Sequence, residues 1–493
     1  AAIADSTIKG DVTIDGDLTV NGAATGTYDS ILKGRLQILA ADGAGAYIDI
    51  SADNADDNAD KWRMVAATTG EFTIESFSTG SWVHHLELDA NSRISLSNND
   101  AGANNTVFGK LAGDDLASGG DENVFIGENA GHENSAGDGN VAIGYNSYYR
   151  GSTLANEGNV FVGKVAGGGD WTGTASSANT AIGAGSMNGV MNDAQNNTAV
   201  GNSSLAALTT GDNNIAIGKS ALLGNTTASN NIAIGINSML SITTGQRNVA
   251  LGSYSMAMNQ GTTAVNSDDN CFIGYNSGGG SWTAAESNQN TAIGAYTMDA
   301  NLEGALNNVA IGYNALTALT DGDNNVAVGS SAGATLTVGT HNTAIGYQAL
   351  DADAEGDYNT CIGSGAGGGF NNTGNDHNTC VGYAAGVGGN NQDIDGIVAV
   401  GSEALNSIDN NGADGSVAVG RSALNALTSG AGNTAVGFES LKTNVDGGYN
   451  TAVGYQALLE FEADSSNHGD NTAVGYKAGT YVSTGTRNTF MGF

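Results

Sequence analysis

From Gly109 to Gly492 the apolar and polar positions recur 22 times in one short phrase: Asn, Thr or Val, a small residue, a large aliphatic, Gly. Asn197-Thr-Ala-Val-Gly201, Asn342-Thr-Ala-Ile-Gly346 and Asn450-Thr-Ala-Val-Gly454 are clean copies. Of the 21 spacings between repeat glycines, ten are 17 residues, none is shorter and the longest is 22. A hard lower limit with scattered insertions above it predicts a solenoid. Closing one coil takes a fixed minimum of chain, and extra residues leave as loops.

Counting from the repeat Gly as 0, the residue at −1 is large and apolar (Ile143, Val200, Leu251). At −2 it is mostly Ala, with Phe125, Phe161, Phe272 and Phe490 as bulky exceptions, and at −3 mostly Thr or Val. Successive strand residues face opposite sides, so this phrase is apolar on both faces and predicts a strand covered twice. One cover is the inside of the coil. No helical period supplies the other, and a second and third copy of the same chain is the economical solution, a homotrimer about a long axis. After the Gly comes a second apolar element, as in Tyr347-Gln-Ala-Leu350, then a turn such as Thr209-Thr-Gly-Asp-Asn213. The expectation is two short strands and two turns per coil, a narrow parallel β-roll whose 22 coils at ~4.8 Å reach on the order of 100 Å.

At −4, Asn occupies 20 of the 22 coils, with Ile397 and Ser416 as the exceptions. Asn197, Asn214, Asn342, Asn433 and Asn450 are therefore expected to stand in an internal amide ladder running coil to coil. A longer repeat overlies the short one. The spacing series 20, 18, 17, 17, 17 begins at Gly163 and again at Gly274, each time with three glycines before a Trp (Gly167 to Trp171, Gly278 to Trp282). Phe370 follows a third such glycine run. An aromatic on a Gly-rich loop suits a sugar ring, which makes Trp171, Trp282 and Phe370 the receptor-binding candidates. The alternative is that these rings fold back and cap the coil.

The first hundred residues lack the 17-residue register. Asp11 to Gly22 alternates at period two with Asp-Gly and Asn-Gly turns, and Trp62 to Leu96 reads as several short strands. The expected organisation is an N-terminal β segment (1–29), a small β domain (30–100) and the repeat shaft (101–493).

Composition changes this picture in few places. Gly numbers 76 and Pro none, which fits a backbone whose N–H groups serve a ladder. A formal charge of −35 argues against nucleic acid and anionic lipid as partners and leaves divalent cations such as calcium open. The acidic run Asp53 to Asp60 lacks the Gly and terminal Glu of an EF-hand loop. His132, His341, His377 and His468 share no register, and the adjacent His84 and His85 should face opposite ways, so no metal set is expected and no cofactor. Cys271, Cys361 and Cys380 stand at phrase positions and read as core packing. No run of 18 apolar residues is present, so no membrane-inserted helix is expected. The start at Ala1 and the end at Phe493 read as limits of a processed or observed segment. No GxSxG, HExxH or phosphate loop occurs, and the carboxylates are scattered among turns, so catalysis is not expected.

The Gly16-Asp-Leu-Thr-Val-Asn-Gly22 opening and the Trp62 to Leu96 stretch resemble modules preceding repeat shafts in phage tail-fibre proteins, notably those of marine tailed phages. The Asn-Thr-Ala-Val-Gly-Tyr-Gln-Ala-Leu repeats resemble arrays in the same fibres and are similar to the head repeats of trimeric autotransporter adhesins, which form a trimeric left-handed parallel β-roll. The resemblance implies a non-enzymatic, extracellular virion appendage, trimeric, joined to other virion or filament proteins and contacting a host glycan or protein receptor. Such fibres often end in an intramolecular chaperone that is cut away after trimerisation. The alternative is a bacterial cell-surface adhesin or extracellular filament subunit. An autotransporter implies a signal peptide and a membrane anchor; neither is read in this segment, an objection that weakens if its ends are trimmed.

Overall fold

A computed structural model describes residues 38, 44–51, 61–78, 81–88, 94–95 and 103–492, the last span apart from 118, 152, 258–265, 283–284, 371–373, 389–392, 410–412 and 464–468. The expectations for the 1–29 segment, the Asp53 to Asp60 run and His468 lie outside these residues. The chain divides into two units, Ala1–Ser95 and Leu96–Phe493.

The first unit holds an antiparallel meander of β1 (Ala46–Ser51), β2 (Lys61–Ala66), β3 (Phe72–Ser78), β4 (Ser81–Leu88) and β5 (Ile94–Ser95). A register shift between Ile74 and Glu75 marks a bulge in the β3–β4 pair. His84 and His85 do separate: His84 Nε2 meets Glu75 Oε1 at 2.9 Å, whereas His85 stacks on Trp62 at 4.9 Å.

The second unit is a parallel β-solenoid. Twenty-two three-residue strands, from β6 (Thr106–Phe108) to β27 (Thr489–Met491), pair in chain order and in register. Thr198, Ala199 and Val200, for example, face Ile215, Ala216 and Ile217. The middle residue, at −2, points inward and is fully buried in Phe125, Ala199, Phe272 and Cys361 alike. Each repeat Gly lies at a φ between +110° and +144°, which side chains avoid, and a Cβ on Gly163 would sit 2.6 Å from the Gly183 carbonyl oxygen. Backbone conformation and axial stacking both require glycine there.

Among the described residues the expected second strand of each coil is not found. Residues +1 to +4 form a turn in which +2 and +4 are left-handed, as at Gln348 (φ 51°) and Leu350 (φ 50°). This alternation aims successive N–H groups at opposite neighbours. Gln348 N–H donates to Ser330 O of the preceding coil at 3.0 Å, and Leu350 N–H to Ala366 O of the following coil at 3.0 Å. Left-handed Leu and Met cost about 1–2 kcal/mol each. Inter-coil hydrogen bonds and a buried side chain offset that cost where Leu or Met stands at +4.

Positions −2 and +4 meet inside the coil and share its volume. In the six coils where −2 exceeds Ala and +4 lies in the chain, +4 is Gly: Val107 with Gly113, Phe125 with Gly131, Phe161 with Gly167, Phe272 with Gly278, Cys361 with Gly367, Cys380 with Gly386. Thirteen of the fifteen coils with Ala at −2 carry Leu, Met or Tyr at +4. A Cβ on Gly278 would lie 2.7 Å from Phe272 ring carbons. One of the two remaining glycines, Gly479, makes room for Phe490 of the next coil, 3.0 Å from its would-be Cβ. Native packing density allows no void and no overlap, so the two positions exchange bulk.

The −4 asparagines run through the interior. Asn214 Oδ1 accepts the backbone N–H of Asn231 at 3.0 Å, while its Nδ2 donates to Asn197 Oδ1 at 3.0 Å and to Ala228 O at 2.8 Å. Asn433 and Asn450 are linked the same way at 3.1 Å. Asn342 takes the backbone part of the pattern, donating its N–H to Asn325 Oδ1 at 2.9 Å and its Nδ2 to Gly356 O at 2.7 Å. The ladder lapses where Ile397 fills space beside Gly386 and Cys380, and it resumes when Asn433 N–H reaches Ser416 Oγ at 3.3 Å.

Candidate functional site

The three aromatic candidates are inside the solenoid, which corrects their assignment to the surface. Trp171 is 2% exposed, donates Nε1–H to Gly167 O at 3.0 Å and meets Phe161 and Tyr148 edge-on at 5.4 and 5.0 Å. Trp282 is buried edge-on to Phe272 at 5.4 Å, and Phe370 is fully buried beside Gly367. The glycines before them are not loop spacers. Gly167 and Gly278 yield volume to Phe161 and Phe272, and a Cβ on Gly169 would run into the backbone of Asn188 and Gly189. Small residues let backbones close up, and the large ring then fills the bulge in the coil.

The exterior consists of columns, one residue per coil. At −6, side chains cap the previous coil: Asp212 Oδ1 accepts Gln195 N–H at 2.7 Å, and Asp376 Oδ1 accepts Asp357 N–H at 2.7 Å. Asp357, Asp376, Asp395 and Asp414 continue this column without interruption. Burial, then the nearby Asp395 and Asp393, pushes the Asp414 carboxyl up. Among the described residues no three His, Cys, Asp or Glu side chains converge in metal-binding geometry. Against the expectation that the histidines share no register, His341 and His377 both stand at −5 and stack on Tyr358 between them at 4.9 and 5.1 Å.

One carboxylate lies deeper. Asp353 occupies position +7, which holds Leu319, Leu336 and Phe370 in neighbouring coils. It is buried, accepts Gly356 N–H at 2.9 Å, and burial pushes its pKa up to about 7. In the first unit, burial raises the Glu75 carboxyl, but hydrogen bonds from Thr73 and Arg63 and the Arg63 and His84 charges outweigh it and hold it below the usual carboxylate range.

At +1 the side chains project from the corner after the strand. Phe438, Tyr455 and Tyr476, in consecutive coils, stack face to face at 5.2 Å with interplanar angles of 9° and 10°. Further up the same column, aromatics alternate with small residues: Tyr313, Ser330, Tyr347, Ser364, Tyr383, Ser402. The three tyrosines are 54%, 57% and 61% exposed. An open groove lies between Tyr347 and Tyr383, lined also by Ser364, Gly365, Gln348 and Asp351. Burial pushes the Asp351 carboxyl up. Sequence reasoning passed over these tyrosines because each follows a repeat Gly and reads as part of the coil. The signal was their recurrence in every second coil.

No family model, curated protein or solved structure matches the chain.

Proposed function

We propose that the chain is the shaft of a homotrimeric fibre carried outside a phage particle and serving attachment to the host surface. The observation that supports this reading is the outer face of the strand ladder. Positions −1 and −3 point away from the coil, and a single chain leaves them partly open, with Ile182 at 42%, Ile293 at 39% and Val453 at 36% exposed. The face is a column mainly of Ile, Val and Thr over 22 coils, with Phe108, Leu251, Cys271 and Met491 as exceptions. Its extent of roughly 100 Å far exceeds the apolar patches of ordinary monomers. A surface with this axial period is matched best by another with the same period, which is the chain itself. The exterior charge suits a solvated rod, and the column architecture suits a spacer carrying contacts away from a particle.

Val436 stands at −1, half-buried in the single chain. Val436→Asp should leave the coil intact and prevent association, because assembly would bury an unpaired charge in each of three copies. Sedimentation should give a trimer for the native chain and a folded monomer for the variant. A stable native monomer overturns the trimer. Gold-labelled antibody to the chain should decorate phage appendages, and label confined to bacterial surfaces would favour the adhesin or filament reading instead.

A further inference from the structure

The groove between Tyr347 and Tyr383 has the form of a missing rung. Where aromatics occupy +1 in consecutive coils, their rings stack at 5.2 Å and nearly parallel. Tyr347 and Tyr383 belong to coils separated by one other, so their rings are about twice one inter-strand spacing apart, roughly 10 Å. The intervening coil contributes Ser364 at +1 and Gly365 at +2, and nothing fills the space between the rings. Gly365 deepens the floor: most other coils carry a side chain at +2, and a Cβ on Gly365 would meet no atom within 4 Å. Gln348 and Asp351 stand along the wall, and Ser364 supplies a hydroxyl.

We infer that this slot binds a neutral pyranose ring, held between the faces of Tyr347 and Tyr383 with its hydroxyls on Asp351, Gln348 and Ser364. The width selects a puckered ring. A flat aromatic would lie against one tyrosine and leave a gap at the other, whereas a pyranose chair carries axial C–H bonds above and below its mean plane and reaches both. The polar groups fit hydroxyls: a carboxylate accepts, an amide does both, a serine does both. The charge of −35 disfavours anionic sugars and phosphates. Ser330 between Tyr313 and Tyr347 makes a shallower counterpart, floored by Ser331 rather than Gly. Tyr347 is the wall common to both.

The inference deepens the attachment reading by giving its contact a place and a ligand class, and it requires the +1 column to stay open in the assembled fibre. The test uses the full assembled chain and saturation-transfer NMR with methyl glucoside, galactoside, mannoside and N-acetylglucosaminide as probes, and indole as a flat probe. At least one glycoside should receive saturation through its ring C–H protons. Tyr347→Ser should weaken that binding about tenfold, the loss of one aromatic face. Ser364→Tyr inserts the rung already tolerated at Tyr455 and should abolish binding in the deep slot, while Tyr455→Ser leaves it unchanged. Failure of every glycoside, preference for indole, or undiminished binding by the Ser364→Tyr chain overturns the slot. Host-cell binding by the native fibre separates the two claims. Cell binding that survives Ser364→Tyr and Tyr347→Ser leaves attachment standing and removes the slot as its contact, and glycoside binding without cell binding leaves the slot standing and removes attachment.

Discussion

Replacing Phe272 by Ala and Gly278 by Leu tests whether the core of each coil is set by exchange of bulk between −2 and +4. Phe272 is fully buried and edge-on to Trp282 at 5.4 Å, so Phe272→Ala alone opens a cavity and should cost about 3–5 kcal/mol. Gly278→Leu alone drives a side chain into the Phe272 ring, 2.7 Å from the new Cβ, for about 1–3 kcal/mol of overpacking. The left-handed backbone at Gly278, φ +63°, adds about 1–2 kcal/mol for any side chain. The two together recreate the Ala-and-Leu pair found at Ala216 and Leu222. What stays lost is the edge contact to Trp282, about 1 kcal/mol, and the left-handed leucine. The double variant should therefore be more stable than either single one, with a coupling of at least about 3 kcal/mol. A solenoid opens locally, so the assay is hydrogen exchange by mass spectrometry across residues 266–300, with residues 340–360 as internal reference. Exchange in the double variant as fast as the sum of the single effects predicts would refute the shared-volume account.

Asp353→Asn should remove a pH dependence. The folded pKa of about 7 exceeds the ordinary value of about 3.9, so the contribution of this group to stability is complete below pH 4 and is lost as pH rises through 7. The difference is about three pH units, or about 4 kcal/mol at most. Asn already stands at +7 in the coils of Asn225 and Asn444, where it accepts from Ala228 and Gly447 N–H at 3.0 and 3.1 Å. The variant should thus gain protection at pH 8 and little at pH 4.5, and parallel exchange profiles for the two chains at both pH values would show that the buried carboxyl does not titrate. Gly163→Ala should cost more than about 3 kcal/mol by colliding with the next coil, whereas Gly158→Ala, also at positive φ but facing open space, should cost about 1–2 kcal/mol. Thermal melts of equal size for the two would mean that axial stacking does not require the repeat glycine.

The architecture was legible where one residue type answers one demand. The repeat Gly, the inward Ala and the −4 Asn each fix a backbone or hydrogen-bond requirement at every coil, and their period gave the solenoid. The second side of the coil was not legible, because left-handed backbone is associated with Gly, Asn and Asp. Here it falls on Leu222, Met298 and Tyr148, whose cost is met by bonds to partners 16 to 18 residues away in the next coil. Tyr347-Gln-Ala-Leu350 alternates like a strand and is apolar like a strand, and nothing local distinguishes it. Trp171 and Trp282 were misplaced for a related reason. Gly-rich context signals a loop in isolation, but Gly167 and Gly278 are small because Phe161 and Phe272 are large, a relation visible only once −2 and +4 are known to touch. That correlation is present in the sequence and removes the reason to read Gly167 and Gly278 as loop spacers.

Because every coil meets its neighbours through the same columns, the solenoid behaves as a graduated rule. Removing the residues from one repeat Gly to the next, Asn202 to Gly218 for instance, brings identical columns back into register and shortens the shaft by one division of about 4.8 Å. Removing a number that is not a whole coil sets unlike columns against one another. Length is therefore inherited in whole numbers, and recombination between coils can set how long the solenoid is without redesigning any contact along it.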